Sequence, residues 1–179
     1  MKKEVEKLLQ YVQKPARYIG GELNAVVKDK DKIDIRYAFC FPDTYEIGMS
    51  HLGMKILYGL VNDREDSWCE RVFAPDNDME EQLRKNNVPL FALESGDYIK
   101  DFDMIGFTLQ YELSYTNVLN MLNLAQIPLK SSDRENLTPL ICVGGPCACN
   151  PEPITDFVDI VFLGDGEETT NQVIDLLID

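Results

Sequence analysis

The chain is short of positive charge and of histidine. It has 17 Lys and Arg against 31 Asp and Glu, a net charge of -14, one histidine and one tryptophan in 179 residues. The acidity argues against direct contact with nucleic acid or an anionic membrane. With a single His51 and one Cys-x-Cys, no zinc-ligand spacing exists. No charged-then-apolar leader opens the chain, and no run of about 18 apolar residues is available to span a bilayer. Neither G-x-x-x-x-G-K-[ST] nor G-x-G-x-x-G occurs, so no standard phosphate loop is present. The five cysteines, Cys40, Cys69, Cys142, Cys147 and Cys149, form an odd set. Three of them fall in or near apolar runs, which suits reduced thiols in a cytoplasm better than a secreted disulfide framework.

What is present is an alternation of short apolar runs and amphipathic stretches. KIDIRYAFCF, from Lys32, places Ile33, Ile35, Tyr37, Phe39 and Phe41 on one parity, with Ala38 and Cys40 on the other. Such a near-continuous apolar run reads as a buried parallel strand. Ser67–Phe73, Met104–Leu109, Leu140–Val143 and Ile160–Leu163 repeat the theme. The charged pair Glu70-Arg71 places Ser67–Phe73 at a sheet edge. Between them, Met49–Val61, Asp76–Asn86, Leu113–Ala125 and Thr169–Ile178 carry helical periodicity, and Ser50 is the expected cap of the first. Regular alternation predicts an α/β, flavodoxin-like, doubly wound sheet of five parallel strands, ordered 2-1-3-4-5. Residues 1–31 are expected to form an amphipathic helix over Lys2–Val12 and then a strap, with a short strand at Ala25–Val27; residues 32–179 form the sheet domain. Pro89–Leu93 is a further candidate strand, and Ser131–Arg134 is expected to be exposed.

Ligands of such sheets sit at the carboxyl ends of the strands. The loop after the first strand offers Asp43, Tyr45, Glu46 and Gly48, with His51 just beyond; Gly48 is expected to permit an unusual backbone angle. The third strand ends in Thr108-Leu109-Gln110. The fourth runs into Gly144-Gly145-Pro146, where adjacent glycines serve either a close backbone approach to a bulky ligand or a plain tight turn. The fifth ends in Gly164-Asp165-Gly166-Glu167-Glu168, whose carboxylates would repel a phosphate and fit better as helix caps or as a face for a partner domain.

Several blocks together carry a resemblance: RYIGGELN, PDTYEIGMSHLGMKILY, ERVFAPDNDME, FTLQYELSYTNVLNML, GGPCACNPEP and FLGDGEE. They resemble the amino-terminal region of an uncharacterised radical S-adenosylmethionine protein family, in which a cobalamin-binding-like domain precedes a radical barrel. The resemblance spans about Arg17 to Glu168. It implies a cobalamin site formed by Asp43, Tyr45, Glu46, Gly48, His51, Thr108, Leu109, Gly144, Gly145, Pro146, Gly164 and Gly166. In cobalamin domains of this fold D-x-H-x-x-G supplies a histidine below the cobalt. Here Asp43-x-Tyr45-x-x-Gly48 has tyrosine in that place, which implies a cobalt without a protein imidazole below it. His51 is out of register with that motif, and a structural or hydrogen-bonding role competes with metal ligation there. Tyr45 either meets the lower face of the corrin or packs away from it.

Radical enzymes hold a 4Fe–4S cluster with C-x-x-x-C-x-x-C, and that triplet is missing here. The resemblance therefore implies a module that stops before the barrel, does not cleave S-adenosylmethionine alone, and has the barrel of its own full-length chain as partner. Val173, Leu176 and Leu177 lie at helical spacing near the chain end and suggest an interface, with the barrel or through self-association. The alternatives are a cofactor-free docking module, favoured by Tyr45 and by bulky Glu46, Gln110, Tyr111 and Glu112 in the loops, and, ranked last, a flavin or nucleotide binder.

Overall fold

Period-two alternation sorts the side chains of the central strand onto two faces, and each face acquires its own core. The computed structural model describes residues 2–179. In it β1 (Ile35–Phe41), β2 (Ser67–Phe73), β3 (Met104–Thr108), β4 (Leu140–Gly144) and β5 (Ile160–Val161) form one parallel sheet in the order β2-β1-β3-β4-β5. This is the doubly wound, flavodoxin-like α/β arrangement and strand order expected from the sequence. Six α-helices are α1 (Lys3–Leu8), α2 (Tyr45–Ser50), α3 (Leu52–Asn62), α4 (Asn77–Asn86), α5 (Ser114–Leu124) and α6 (Gly166–Ile178). None is long and apolar enough to cross a membrane among the described residues.

Ala38, Cys40, Ile105, Phe107, Ile141 and Val143 pack on one face with Val5 and Leu8 of α1, Met79 and Leu83 of α4, and Val118, Met121 and Leu122 of α5. Tyr37, Phe39, Phe41, Met104 and Cys142 point to the other face, against Met54, Tyr58 and Val61 of α3 and Ile174 of α6. Tyr37 and Phe39, two residues apart, stack with ring centroids 5.6 Å apart. Fully burying one such aromatic or aliphatic side chain stabilises the fold by roughly 1.5–3 kcal/mol.

The edge strand β2 is sealed by the segment that follows α4. Leu93 N–H donates to Arg71 O at 2.9 Å, and Arg71 N–H donates to Glu94 Oε2 at 2.7 Å. Glu70, fully buried, accepts from Arg36 and from Ser95 N–H. The charged pair that marks β2 as an edge is thus buried rather than solvated.

Several local expectations are corrected. Ala25–Val27 is not a strand: Val26 is held instead by its N–H to the Tyr58 hydroxyl (2.7 Å) and its carbonyl to Trp68 Nε1 (3.0 Å), which straps residues 22–27 over α3. Pro89–Leu93 forms only an isolated bridge, Phe91 to Tyr98, because its backbone groups are used separately: Leu90 on Leu124 and Ile99, Ala92 on Asp97, and only Leu93 on β2. The fifth strand is two residues long. Arg134 is not exposed; its side chain is 6% accessible and donates to Asp159 Oδ1 at 2.7 Å.

The largest correction concerns the loop after β1. A helix already begins at Tyr45, Gly48 sits inside it, and the chain breaks at His51 rather than starting at Ser50. Ser50 cannot cap, since its hydroxyl donates back to Glu46 O at 2.7 Å, the i−4 pattern of a residue within a helix. His51 caps in its place: with extended backbone, its Nδ1 accepts from Met54 N–H at 3.2 Å. Gly48 has no positive φ. It is glycine because a Cβ would overlap the Phe73 ring and meet Phe41 Cγ at 3.1 Å.

Candidate functional site

Two helices on the α3/α6 face leave part of the sheet uncovered, and a cleft of about 790 Å³ opens there at the carboxyl ends of β1, β3, β4 and β5. Its floor is Tyr37, Phe39, Gly106 and Cys142; its sides are His51, Gly53 and Leu57 of the α3 region and Gly166 and Thr170 of α6. Thr108, Gln110, Gly144, Gly145, Pro146, Cys149, Phe162 and Gly164 complete the mouth. The volume is that of a ligand pocket, typically about 300–1,000 Å³.

Glycines make this space. Gly106 has no room for a Cβ, which would overlap the Tyr37 hydroxyl and lie 2.8 Å from Cε2. Gly145, at φ 93°, lets its loop press against β3, where a Cβ would fall 2.9 Å from Leu109 O. Gly164, at φ 94°, has no heavy atom within 4 Å of where a Cβ would stand. A side chain there would be strained by that φ.

A polar chain crosses the mouth from α3 to β3. Since His51 Nδ1 accepts from Met54, Nε2 carries the proton and donates to Gln110 Oε1 at 3.0 Å. Gln110 Nε2 then donates to Thr108 Oγ1 at 2.6 Å, which leaves the threonine hydroxyl hydrogen for a further acceptor. Both imidazole nitrogens are therefore engaged, and the ring also packs 5.1 Å from Phe41. Burial pushes the Cys142 thiol on the floor up to about 12, with Asp159 adding to the effect. Cys149 at the rim is exposed. Among the described residues no group of three or more His, Cys, Asp and Glu is placed to hold a metal ion.

Of the twelve residues singled out from sequence, His51, Thr108, Gly144, Gly145, Pro146, Gly164 and Gly166 line the cleft, and Asp43, Tyr45, Glu46, Gly48 and Leu109 do not. Asp43 caps its own loop, accepting from Thr44 N–H at 2.7 Å and from the Tyr111 hydroxyl at 3.0 Å. Glu46 pairs with Arg17 at 2.8 Å and with Lys14 at 3.5 Å. Tyr45 stands edge-on to Phe73 and donates to Glu22 Oε1 at 3.0 Å, on the side of the strap. Leu109 is fully buried. Tyr37, Phe39, Gly106, Cys142 and Phe162 were not expected in the site. Their signal was the shared parity of Tyr37 and Phe39 and a lone glycine inside the run MIGFTL.

A cleft at the strand ends of a doubly wound sheet fits many ligands, so comparison with known proteins decides the family. The model of the amino-terminal region of radical SAM proteins matches residues 53–179. The chain belongs to this radical SAM N-terminal family. A relative, an uncharacterised protein of Methanocaldococcus jannaschii, is 28% identical over 131 residues, which cover 73% of this chain and 24% of that protein. The chain thus spans about a quarter of the length of the relative it matches. No solved structure matches it.

Proposed function

We propose that this radical SAM N-terminal chain is a cobalamin-binding module and has no catalytic activity of its own. The observation that carries the reading is the cleft of about 790 Å³ at the strand ends, floored by apolar rings and opened by glycines. Its residues fit a corrinoid. Gly164 leaves a hollow that a side chain would fill, and the buried Tyr37–Phe39 pair makes the floor apolar. Thr108 has a hydroxyl hydrogen to donate, and Asp165 and Glu167 can accept from the corrin's neutral amide side chains. The same carboxylates disfavour a ligand with several free phosphates, such as a nucleotide.

Gly144, Gly145, Gly164, Thr108 and Phe162 would hold the group, and His51 would position Gln110 and Thr108 rather than bind cobalt. When bound, a corrinoid supplies a transferable methyl group; the chain's own part is orientation and exclusion of water. In the longer protein a 4Fe–4S cluster and S-adenosylmethionine would belong to a barrel outside this chain.

Titration with hydroxocobalamin and methylcobalamin, followed by visible absorbance, tests the reading. Saturable binding at about 50 µM or below is expected, weakened about tenfold by Thr108→Val. A second reading, a cofactor-free docking module, is favoured by Tyr111, Leu113 and Leu163, which stand 42%, 81% and 69% exposed. No spectral change with either corrinoid, in this chain and in the full-length protein, would leave that reading in its place.

A further inference from the structure

A second cavity, of about 450 Å³, lies on the far side of α2 and α3 under the strap, and one buried cation faces into it. Its wall is mostly apolar: Leu23, Val26, Met49, Met54 and Tyr58. The cation is Arg71 of β2, whose side chain is only 7% accessible. Arg71 Nε donates to Glu94 Oε1 at 2.6 Å, so the buried pair is neutral. The rest of the guanidinium is poorly partnered. Among the described residues Nη1 has only the Met49 thioether at 3.3 Å, a weak acceptor. Nη2 reaches Glu22 Oε2 at 3.5 Å, the limit of a hydrogen bond. The Tyr58 ring lies 4.5 Å from Cζ and holds the guanidinium in place.

Buried guanidinium donors seek strong acceptors, and two parallel N–H groups match a carboxylate. A simple anion is a poor match, however, because Glu22, 13% accessible, shares the wall. A carboxylate taking both Nη groups would loosen the 3.5 Å contact and leave Glu22 without its cation. An ammonium group beside that carboxylate would restore the balance. Lys55, exposed on the rim, and Glu22 otherwise cancel, as do Arg71 and Glu94, so the cavity suits a neutral zwitterion.

We infer that this cavity binds a small apolar α-amino acid, with its carboxylate on Arg71, its ammonium on Glu22, and its side chain against Met49, Met54 and Val26. The site is separate from the cleft and does not rest on corrinoid binding. It gives the strap a purpose: Glu22 sits on it, between Arg71 and the Tyr45 hydroxyl.

The test is a titration of the chain, labelled with ¹³C at its methionine methyls, with L-leucine. Saturable shifts confined to Met49 and Met54 are expected. Two analogues separate the charges: 4-methylpentanoate lacks the ammonium and isopentylamine lacks the carboxylate, and each should bind about 10- to 100-fold more weakly. Arg71 is a poor site for substitution because Glu94 would be left buried and unpaired. Glu22→Gln should weaken leucine about tenfold and leave 4-methylpentanoate unweakened. Gly59→Leu is the second variant: Gly59 lines the cavity, has no heavy atom within 4 Å of a Cβ position, and lies in α3, where leucine favours the helix over glycine. It should fold and abolish binding. No saturable shift at about 20 mM leucine, equal binding of the acid and the amino acid, or unchanged binding in Gly59→Leu would overturn the inference.

Discussion

Tyr45 donates its hydroxyl to Glu22 across 23 residues of chain, and so the phenol in the histidine place of D-x-H-x-x-G faces the strap instead of the cleft. Because α2 begins at Tyr45, its side chain leaves the helix toward Phe73 and the strap. Tyr45→His therefore restores the motif without restoring a cobalt ligand. With cob(II)alamin bound, electron paramagnetic resonance of this variant should show no nitrogen superhyperfine splitting from a protein imidazole. The unmutated chain should show none either, since both His51 nitrogens are engaged. Splitting in either would refute the arrangement.

The contact between Gly106 and Tyr37 predicts a stability effect with a specific remedy. Gly106→Ala forces the buried Tyr37 ring to move, at a cost of about 1–3 kcal/mol in urea unfolding. Tyr37→Phe in the same chain removes the nearest atom, the hydroxyl, and should recover part of that loss. The remainder persists because Cε2 still lies 2.8 Å away. Additive losses in the double variant would show that the two sites are not in contact.

Acid should loosen α6 through Asp66. Its hydrogen bond from Arg64 holds the carboxyl below its ordinary range, and Arg64 also bonds Asp175 of α6 at 2.6 Å. The folded value lies below the unfolded one, so this contribution is complete above about pH 5 and is lost as pH falls through the folded value. Unfolding midpoints should decline below about pH 4 in the natural chain, and Asp66→Asn should flatten that limb. An unchanged acid limb in the variant would remove Asp66 from the account.

The thiols should react in the order of their exposure. Cys149 is exposed and Cys147 half-buried, whereas burial raises Cys40, Cys69 and Cys142. Iodoacetamide followed by peptide mapping should label Cys149 first, Cys147 next, and the other three only on unfolding. Cys149 lines the cleft, so bound hydroxocobalamin should protect it. Protection at Cys147 alone, or early labelling of Cys142, would contradict the placement of the cleft.

Strand number and direction were readable because apolar run length reports burial on both faces; the order followed from the loops after the first, third, fourth and fifth strands, which match a doubly wound sheet. The glycine loops after β4 and β5 were readable too, since backbone freedom is written in the residue type. The loop after β1 was not. Spacing in Asp43-x-Tyr45-x-x-Gly48 says nothing about whether a helix starts at Tyr45, and that start turns Tyr45, Glu46 and Gly48 away from the strand ends. Likewise, Gly106 reads as a weakness in a strand until the ring of Tyr37, on the neighbouring strand, is known to lie where its Cβ would stand. The seven residues that do line the cleft share it with strand-interior side chains, whose role depends on which helices leave their face bare.

The seal over β2 has a bearing on how the chain behaves in company. An open strand edge is a template on which another chain can pair and from which fibrils grow. Here Leu93 and Glu94 already occupy Arg71's backbone groups, and the charges of Glu70 and Arg36 lie directly behind. The opposite margin is β5, only two residues long, too brief to register a partner. A contact between copies would therefore have to use side-chain surfaces, such as Leu176, 74% exposed on α6, in place of backbone pairing.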